Sequence, residues 1–228
     1  MGILTGREIQ RRVFEDIDDD ERLYIAPNLD LKQDASYEKS SLDIRLGTHF
    51  IITRRTKFSH IDPFGLEGDR EKTEAEIATE LENYQEEVYI PFSEEFNLHP
   101  QQFAMGCTLE YFRFPLDVMA YVIGRSSWGR LGLVIAMATV VHPGYTGVLT
   151  LELENLGDAP ITLLAGCRIG QLVFHRVEGK GYASFVDAYK VKYVAATKPS
   201  FSLIHKDAER KALIKYRRLA KEASKHLD

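Results

Sequence analysis

Short apolar runs separated by proline and glycine fill the second half of the chain, and they limit its fold more than any other feature. The runs are DVMAYVIG, LGLVIAMATVV, VLTLELEN and PITLLAGCRIGQLVF, and FNLHPQQFAMGCTLEYFRFP precedes them. Closely spaced short strands with turn signals between them are typical of sandwiches and barrels. The sequence therefore predicts a mainly β domain.

Two capping boxes predict helices that are added to these strands. Thr5 with Glu8 begins a helix over 6–14, and Thr73 with Glu76 begins another. The second helix is amphipathic, because apolar residues recur in it at helical spacing: Ile77, Leu81, Tyr84 and Val88. We interpret it as an insertion between strands.

The tail from Lys206 to Asp228 has a different character, with eight Lys or Arg against four Asp or Glu. Apolar or small residues repeat in it at about 3.5 residues: Leu213, Tyr216, Ala220, Ala223 and Leu227. This pattern predicts a basic amphipathic helix that packs on its own subunit or on a neighbour, with docking to another partner or to a membrane as the alternative. We therefore divide the chain into a domain over 1–204 and a C-terminal helix over 205–228.

Composition narrows the classes of function. With 44% hydrophobic and 28% charged residues, the chain has the composition of a globular protein, and its net charge of −5 offers no general attraction to nucleic acid or anionic lipid. It contains no apolar run of about 18 residues and no signal-peptide layout at its start, so we expect a cytoplasmic protein. Cys107 and Cys167 lack partners at metal-ligand spacing, and we expect both to be small core residues.

The segment GRSSWGRLGL interrupts the strands with an unusual set of hydrogen-bond donors. Arg125 and Arg130 supply guanidinium groups, Ser126 and Ser127 supply hydroxyls, and glycines expose backbone amides. Such a loop suits phosphate groups. An ordinary surface turn is the alternative, because the segment matches neither a Walker loop nor a dinucleotide fingerprint.

Two strand segments carry charged residues at alternate positions. In VHPGYTGVLTLELEN, a Pro-Gly turn leads into a strand whose leucines share one face, while Thr150, Glu152 and Glu154 share the other. That polar face is either part of a pocket or simply solvated. In SLDIRLG, we interpret the acid and the base, Asp43 and Arg45, as a surface pair.

The order of these segments, together with KYVAATKPSFS, resembles the dCTP deaminase family of the dUTPase-like superfamily. The likeness covers 2–204, and its GRSSxxR and TLELxN segments are the most specific parts. The resemblance implies a dUTPase-like (β-clip) distorted barrel that assembles as a homotrimer with active sites between subunits. It also implies that the substrate triphosphate is bound together with Mg²⁺.

The resemblance assigns roles to individual residues. Ser126 and Arg130 match essential residues of the family, and Glu152 matches the glutamate that shuttles protons. The residues matched to substrate binding begin with those of the phosphate-binding loop: Arg125, Ser127, His142, Thr150, Gln171, Tyr182 and Lys192.

The predicted reaction is the hydrolytic deamination of dCTP to dUTP and ammonia. Zinc deaminases activate their water through H-x-E and P-C-x-x-C segments, and this chain contains neither. We therefore predict a zinc-independent reaction in which one carboxylate, Glu152, acts as base and then as acid. Ser126 would position the water, and Arg130 would hold positive charge near the carboxylate. The expected nucleotide partners are dCTP, with dUTP or dTTP as product or inhibitor.

Two alternatives stay open. A bifunctional enzyme would continue to dUMP, but in dUTPases an aspartate activates the water that attacks the α-phosphate, and this chain carries His142 there. A regulator with the same fold would bind nucleotide without turnover. The KYVAATKPSFS segment keeps that second alternative open, because its Ala196 stands where the family usually has glutamine.

Overall fold

The computed structural model describes residues 2–28, 40–54, 60–66, 70–135, 140–178 and 195–224. Tyr182 and Lys192 of the predicted site, and Leu227 of the tail, lie outside these residues. The helices are α1 (Gly6–Phe14), α2 (Glu74–Tyr84), α3 (Ser126–Gly129) and α4 (Ala208–Ser224). The strands are β1 (Tyr24–Ala26), β2 (Leu42–Arg45), β3 (His49–Thr53), β4 (Gln85–Tyr89), β5 (Glu95–Leu98), β6 (Phe103–Arg113), β7 (Val118–Gly124), β8 (Leu133–Ile135), β9 (Val140–Val141), β10 (Thr146–Asn155), β11 (Ile161–Leu164) and β12 (Arg168–Arg176).

The strands form three sheets in the described residues. The largest has the order β4-β3-β6-β10-β8, with β1 also paired to β6. A four-stranded sheet has the order β2-β12-β7-β9, and β11 pairs with β5. The pairings of β10 with β6 and of β12 with β7 are antiparallel. The prediction of a mainly β fold with a few added helices is confirmed.

Alternation along β10 separates its core face from its polar face. Leu151 and Leu153 are fully buried, opposite Gly106 and Ala104 of β6. A Cβ atom on Gly106 would come within 3.1 Å of the Leu46 side chain, so glycine allows the close packing at this point. The residues between the leucines therefore face away from the core, as the sequence predicts.

Helix α1 has the predicted bounds and is held by a buried arginine. The Thr5 hydroxyl accepts a hydrogen bond from the Glu8 amide, while the Glu8 carboxylate pairs with Arg11 and Arg12. Arg12 is 0% exposed and donates to both carboxylate oxygens of Asp117, at 2.9 and 2.6 Å. This bidentate pair fastens the helix to the turn between β6 and β7.

Helix α2 begins at the predicted capping box but ends earlier than predicted. Thr73 and Glu76 each cap the other's backbone amide, as expected. Gln85 then has an extended backbone, and Val88 lies in β4 rather than in the helix. The prediction that the helix includes Val88 is wrong, because the backbone hydrogen-bonding groups of this segment pair with β3 instead.

The chain divides into two compact units, Met1–Ile52 with Glu87–Ser200 and Thr53–Glu86 with Phe201–Asp228. The boundary predicted after Ile204 concerns the extent of the family likeness, and it stays a prediction. In the second unit, Arg210 of α4 is 6% exposed and donates to the carbonyls of Phe64, at 2.8 Å, and Lys72. Arginine contacts of this kind join α4 to the segment before α2.

The apolar stripe predicted for the tail helix lies exposed over its described part. The exposed fractions of Leu213 and Tyr216 are 36% and 67%. Ile214 and Arg217 are half-buried, and Arg217 donates to the Leu66 carbonyl. None of the helices in the described residues has both the length and the apolar character needed to span a membrane.

Candidate active site

A single helical turn carries the donor-rich residues of the GRSSWGR segment. Arg125 precedes α3 with an extended backbone, and its carbonyl accepts the Trp128 amide at 3.1 Å. The Arg130 amide donates to the Ser126 carbonyl at 3.1 Å. This turn leaves the side chains of Ser126, Ser127 and Arg130 exposed, where a ligand can reach them.

The turn is fastened on two sides. On one side, the Trp128 indole nitrogen and the Arg125 guanidinium both donate to the Arg168 carbonyl of β12, at 2.8 and 3.3 Å. On the other side, the Leu156 amide donates to the Gly132 carbonyl at 2.9 Å. Gly132 has φ +92°, and a Cβ there would lie 2.7 Å from a backbone nitrogen. The loop is therefore held against both β12 and the end of β10.

The polar face of β10 carries the predicted proton shuttle. Thr150, Glu152 and Glu154 are half-buried on this face. Glu152 lies opposite Met105 of β6, and Glu154 lies opposite Val134 of β8. Because β8 follows the α3 turn directly, the turn and the end of β10 belong to one hydrogen-bonded region. The predicted sharing of one face by these three residues is confirmed.

Asn155, the asparagine of the TLELxN segment, has a structural role. Its side chain is 0% exposed, and its amide nitrogen donates to the carbonyls of Leu98 and Ala159 at 2.9 Å. Its side-chain oxygen accepts the Gly157 amide at 2.9 Å. A fully satisfied buried amide of this kind fixes the end of β10 beside the α3 loop.

The three predicted catalytic side chains make no direct contact within one chain. Among the described residues, the side chains of Ser126, Arg130 and Glu152 form neither a hydrogen bond nor an ion pair with another residue. Their cooperation stays a prediction, as does the completion of the site by a second subunit.

Asp43 and Arg168 are candidate site residues that the sequence analysis did not identify. The Asp43 side chain is 9% exposed, and its Oδ1 accepts a hydrogen bond from Gln171 Nε2 at 2.8 Å. Its two oxygens lie 3.8 Å from the Nε atoms of Arg125 and Arg168. Gln171, a predicted nucleotide contact, thus shares a carboxylate with the loop.

The interpretation of Asp43 and Arg45 as a surface pair is wrong. Arg45 lies on the same strand but pairs with Glu110 of β6, at 3.5 Å, and the Glu110 side chain is 3% exposed. The Arg45 amide also donates to Glu110 at 2.9 Å. Burial raises the pKa of Glu110 to about 7, although these contacts act in the opposite direction.

An open groove of about 490 Å³ adjoins the α3 turn. Its lining residues come from the turn and from the start of β12: Arg125, Ser127, Trp128, Leu131, Cys167 and Arg168. Two guanidinium groups on one side and an indole beside them make the groove suitable for an anionic ligand with an apolar part.

Burial sets the surroundings of both cysteines. Cys107 is 2% exposed, and burial raises its pKa to about 11, whereas Cys167 is half-buried at the groove and has its pKa raised by burial as well. Only for Cys107 is the predicted core position confirmed. In the part of the chain that the structure describes, no group of three His, Cys, Asp or Glu residues is placed to hold a metal ion.

The predicted Pro-Gly turn precedes β10. The Tyr145 amide donates to the His142 carbonyl at 3.2 Å, and Gly144 has φ +76°, a left-handed conformation that favours glycine. His142 is exposed. The structure therefore places His142 at the entry to the strand that carries Glu152, with its role still a prediction.

The segment that contains Ala196 returns beside the start of β10. The Ala195 amide donates to the Thr146 carbonyl at 2.7 Å, and the Val148 amide donates to the Ala196 carbonyl at 2.8 Å. Gly147 has φ +138°, and a Cβ there would lie 2.9 Å from the Ala196 nitrogen. Glycine is thus needed for the close approach of this segment to the strand of Glu152.

Comparison with known proteins gives consistent relatives. The profile of the family described as dCTP deaminase-like matches residues 3–177. The dCTP deaminase of Natronomonas pharaonis is 36% identical over 208 residues, which are 91% of this chain and 97% of that protein. A dUMP-forming dCTP deaminase of Methanobrevibacter smithii is 34% identical over 213 residues, covering 92% of this chain and all of that protein (100%).

A solved structure supports the fold. The crystal structure of 2'-deoxycytidine 5'-triphosphate deaminase from Agrobacterium tumefaciens superposes with a TM-score of 0.52 at 24% identity. The match covers 78% of this chain and 47% of that one, so the present chain spans about half of its length. The extent of the profile match and the near full-length relatives show that this chain belongs to the dCTP deaminase-like family.

Proposed function

We propose that the protein deaminates dCTP to dUTP and ammonia, with Glu152 as the group that moves protons. The observation that carries this proposal is the position of Glu152, half-buried on the polar face of β10, whose end is bonded to the α3 loop. The relatives named dCTP deaminase support the choice of substrate.

The reaction requires one water and one group that can both take and return a proton. Water adds to C4 of cytosine, Glu152 accepts its proton, and N3 is protonated to give a tetrahedral intermediate. Glu152 delivers the first proton of the water to N3. It then takes the proton of the C4 hydroxyl and passes it to the amine, so that a new C4=O bond forms as the C4–N bond breaks and ammonia leaves. Ser126 positions the water, and Arg130 keeps positive charge near the carboxylate.

Triphosphate recognition falls to the residues around α3. Arg125 and Ser127 line the groove beside the turn. Gln171 donates a hydrogen bond to Asp43, the carboxylate that Arg125 also approaches. Guanidinium groups and hydroxyls supply the donors that phosphate oxygens require. Tyr182 and Lys192 complete the nucleotide contacts in this proposal.

Thr150 and His142 complete the substrate-binding set. Thr150 shares the polar face of β10 with Glu152, and His142 lies just before the same strand. Mg²⁺ would be held by the phosphate oxygens of the substrate, and it would neutralise triphosphate charge. The complete site is formed between subunits of a homotrimer.

Formation of dUMP is the second candidate. The dUMP-forming relative from Methanobrevibacter smithii, matched over its whole length, favours it. His142 counts against it, because a histidine replaces the carboxylate that would activate water at the α-phosphate.

A product assay distinguishes these functions. The protein is incubated with dCTP and Mg²⁺, and dUTP, dUMP, pyrophosphate and ammonia are then quantified by chromatography and a coupled assay. Equal amounts of dUTP and ammonia are expected, with activity that survives a zinc-selective chelator. Equal amounts of dUMP and pyrophosphate would establish the bifunctional reaction instead. Tight dCTP binding without any product would identify an inert regulator.

A further inference from the structure

We propose that Asp43 is a positioning residue that holds Arg125 and Arg168 as a cationic pair for the nucleotide phosphates. This inference rests on the proposed function and adds two residues to it. Asp43 acts through the arginines, whereas Arg168 contacts the phosphates itself.

Asp43 is placed where one carboxylate can serve three partners. It lies on β2, and its side chain is almost completely buried, at 9% exposed. One oxygen accepts the Gln171 hydrogen bond at 2.8 Å and lies 3.8 Å from Arg125 Nε. The other oxygen lies 3.8 Å from Arg168 Nε. Arg125, just before the α3 turn, and Arg168 of β12 therefore approach the same buried carboxylate.

A β-bulge makes this arrangement geometrically possible. Gln171 lies opposite Asp43, and Arg168 is three residues earlier on β12, so a regular strand would direct their side chains to opposite faces. The register shifts between Arg168 and Gly170. Arg168 lies opposite Arg45 and Gly170 lies opposite Ile44, so two steps along β12 match one step along β2. The extra residue changes the facing of Arg168, so that both side chains reach Asp43.

The charges leave this cluster suited to an anion. Arg125 and Arg168 bring two positive charges to one carboxylate, that of Asp43. The side chains of Arg125 and Arg168 are 32% and 41% exposed, and both line the groove beside Ser127. Two neighbouring cations repel each other, and Asp43 offsets that repulsion while fixing their side-chain geometry. Phosphate oxygens of the nucleotide meet a pair that is already oriented.

A positioning role and a purely electrostatic role of Asp43 predict opposite changes in phosphate affinity when Asp43 loses its charge. Replacing Asp43 by asparagine removes negative charge near the groove, and by simple electrostatics this should tighten phosphate binding. If Asp43 instead orients the arginines, the same substitution weakens binding. The Asp43→Asn side chain keeps its shape and can still accept the Gln171 hydrogen bond, so the fold should be retained.

The test compares KM and kcat for dCTP in wild type, Asp43→Asn and the surface control Asp16→Asn. We expect KM to rise about tenfold in Asp43→Asn, corresponding to about 1.4 kcal/mol, with kcat changed much less. Asp16 is fully exposed, and its substitution should leave both constants unchanged. A KM that stays equal or falls would overturn the positioning role.

Binding measurements separate the phosphates from the base. In a Glu152→Gln background, dCTP and dCMP affinities are measured by calorimetry with and without Asp43→Asn. The loss should be larger for dCTP. Arg168→Ala should weaken dCTP binding and reduce the Asp43 effect in the double variant, which keeps the part that acts through Arg125. Equal losses for both nucleotides, or fully additive effects, would contradict the proposal. A wild type that neither binds nor converts dCTP would overturn the proposed function itself.

Discussion

In the unit that contains β10, Arg125 and Arg168 lie beside a carboxylate, whereas in the unit that contains α4, Arg210 and Arg217 donate to backbone carbonyls. The first two side chains are 32% and 41% exposed, and Arg210 is 6% exposed. Hydrogen bonds to these half-buried carbonyls satisfy main-chain acceptors and hold α4 in place. The longer contacts of Arg125 and Arg168 to Asp43 orient the two cations and leave part of each accessible.

This difference separates structural arginines from candidate binding arginines in the same chain. The amino-acid composition alone does not distinguish the two kinds of arginine. Their partners and their exposure distinguish them, and the following variants test that distinction.

The largest expected effect is on chemistry in the first unit. Glu152→Gln should lower kcat by about 10²–10⁴-fold, because the amide has the same shape but cannot accept and return a proton. The matched control is Glu154→Gln, two residues along the same face of β10, which should retain most activity. Single-turnover deamination rates measure both. Near wild-type rates in Glu152→Gln would remove this residue from the mechanism.

The second unit should respond in stability and not in chemistry. Arg210→Ala removes two charge-assisted hydrogen bonds to half-buried carbonyls and should destabilise this unit by about 2–4 kcal/mol. Hydrogen exchange of the α2 and α4 amides reports the loss, and deamination kinetics should stay near wild type.

Lys211→Ala is the control for that variant, since Lys211 is exposed on the same helix. Its substitution should leave amide exchange unchanged. A fall in kcat/KM as large as the loss of protection in Arg210→Ala would break the comparison between the two units.

A buried acid in the first unit should make stability depend on pH. Burial raises the pKa of Glu110 from 4.5 to about 7, so the folded state binds more protons than the unfolded state between these values. The free energy of unfolding therefore falls as pH rises from about 4.5 to 7, by about 2–3 kcal/mol. Glu110→Gln should remove this fall.

Urea unfolding of wild type, Glu110→Gln and the exposed control Glu95→Gln at several pH values measures the effect. The control should retain the wild-type slope. A stability that rises over this range in wild type would mean that Arg45 keeps Glu110 ionised in the folded protein.

The smallest expected effect concerns the attachment of the α3 turn. Trp128→Phe keeps an aromatic ring but loses the bond to the Arg168 carbonyl, and a net hydrogen bond contributes about 1 kcal/mol. KM for dCTP should rise by about fivefold. Tyr216→Phe, which also loses one polar group but lies exposed on α4, should leave KM unchanged. Equal KM values in both variants would show that the loop does not depend on this bond.

Local sequence determined the elements whose stabilising contacts are close in the chain. The capped starts of α1 and α2, the Pro-Gly turn and the alternation of β10 follow from short-range hydrogen bonding and side-chain period. The order of the motifs was sufficient to identify the family, and through it Ser126, Arg130 and Glu152 as candidates.

Tertiary structure alone decided which distant residues share a partner. A one-residue bulge in β12 turns Arg168 toward Asp43, and β4 pairing ends α2 before Val88. Bonds from Arg210 to carbonyls far away in sequence join α4 to the segment before α2. The sequence by itself determined the local elements, because their hydrogen bonds and side-chain periods depend on neighbouring residues. The partners of its buried charges depend on strand register and long-range packing, which short-range patterns do not encode.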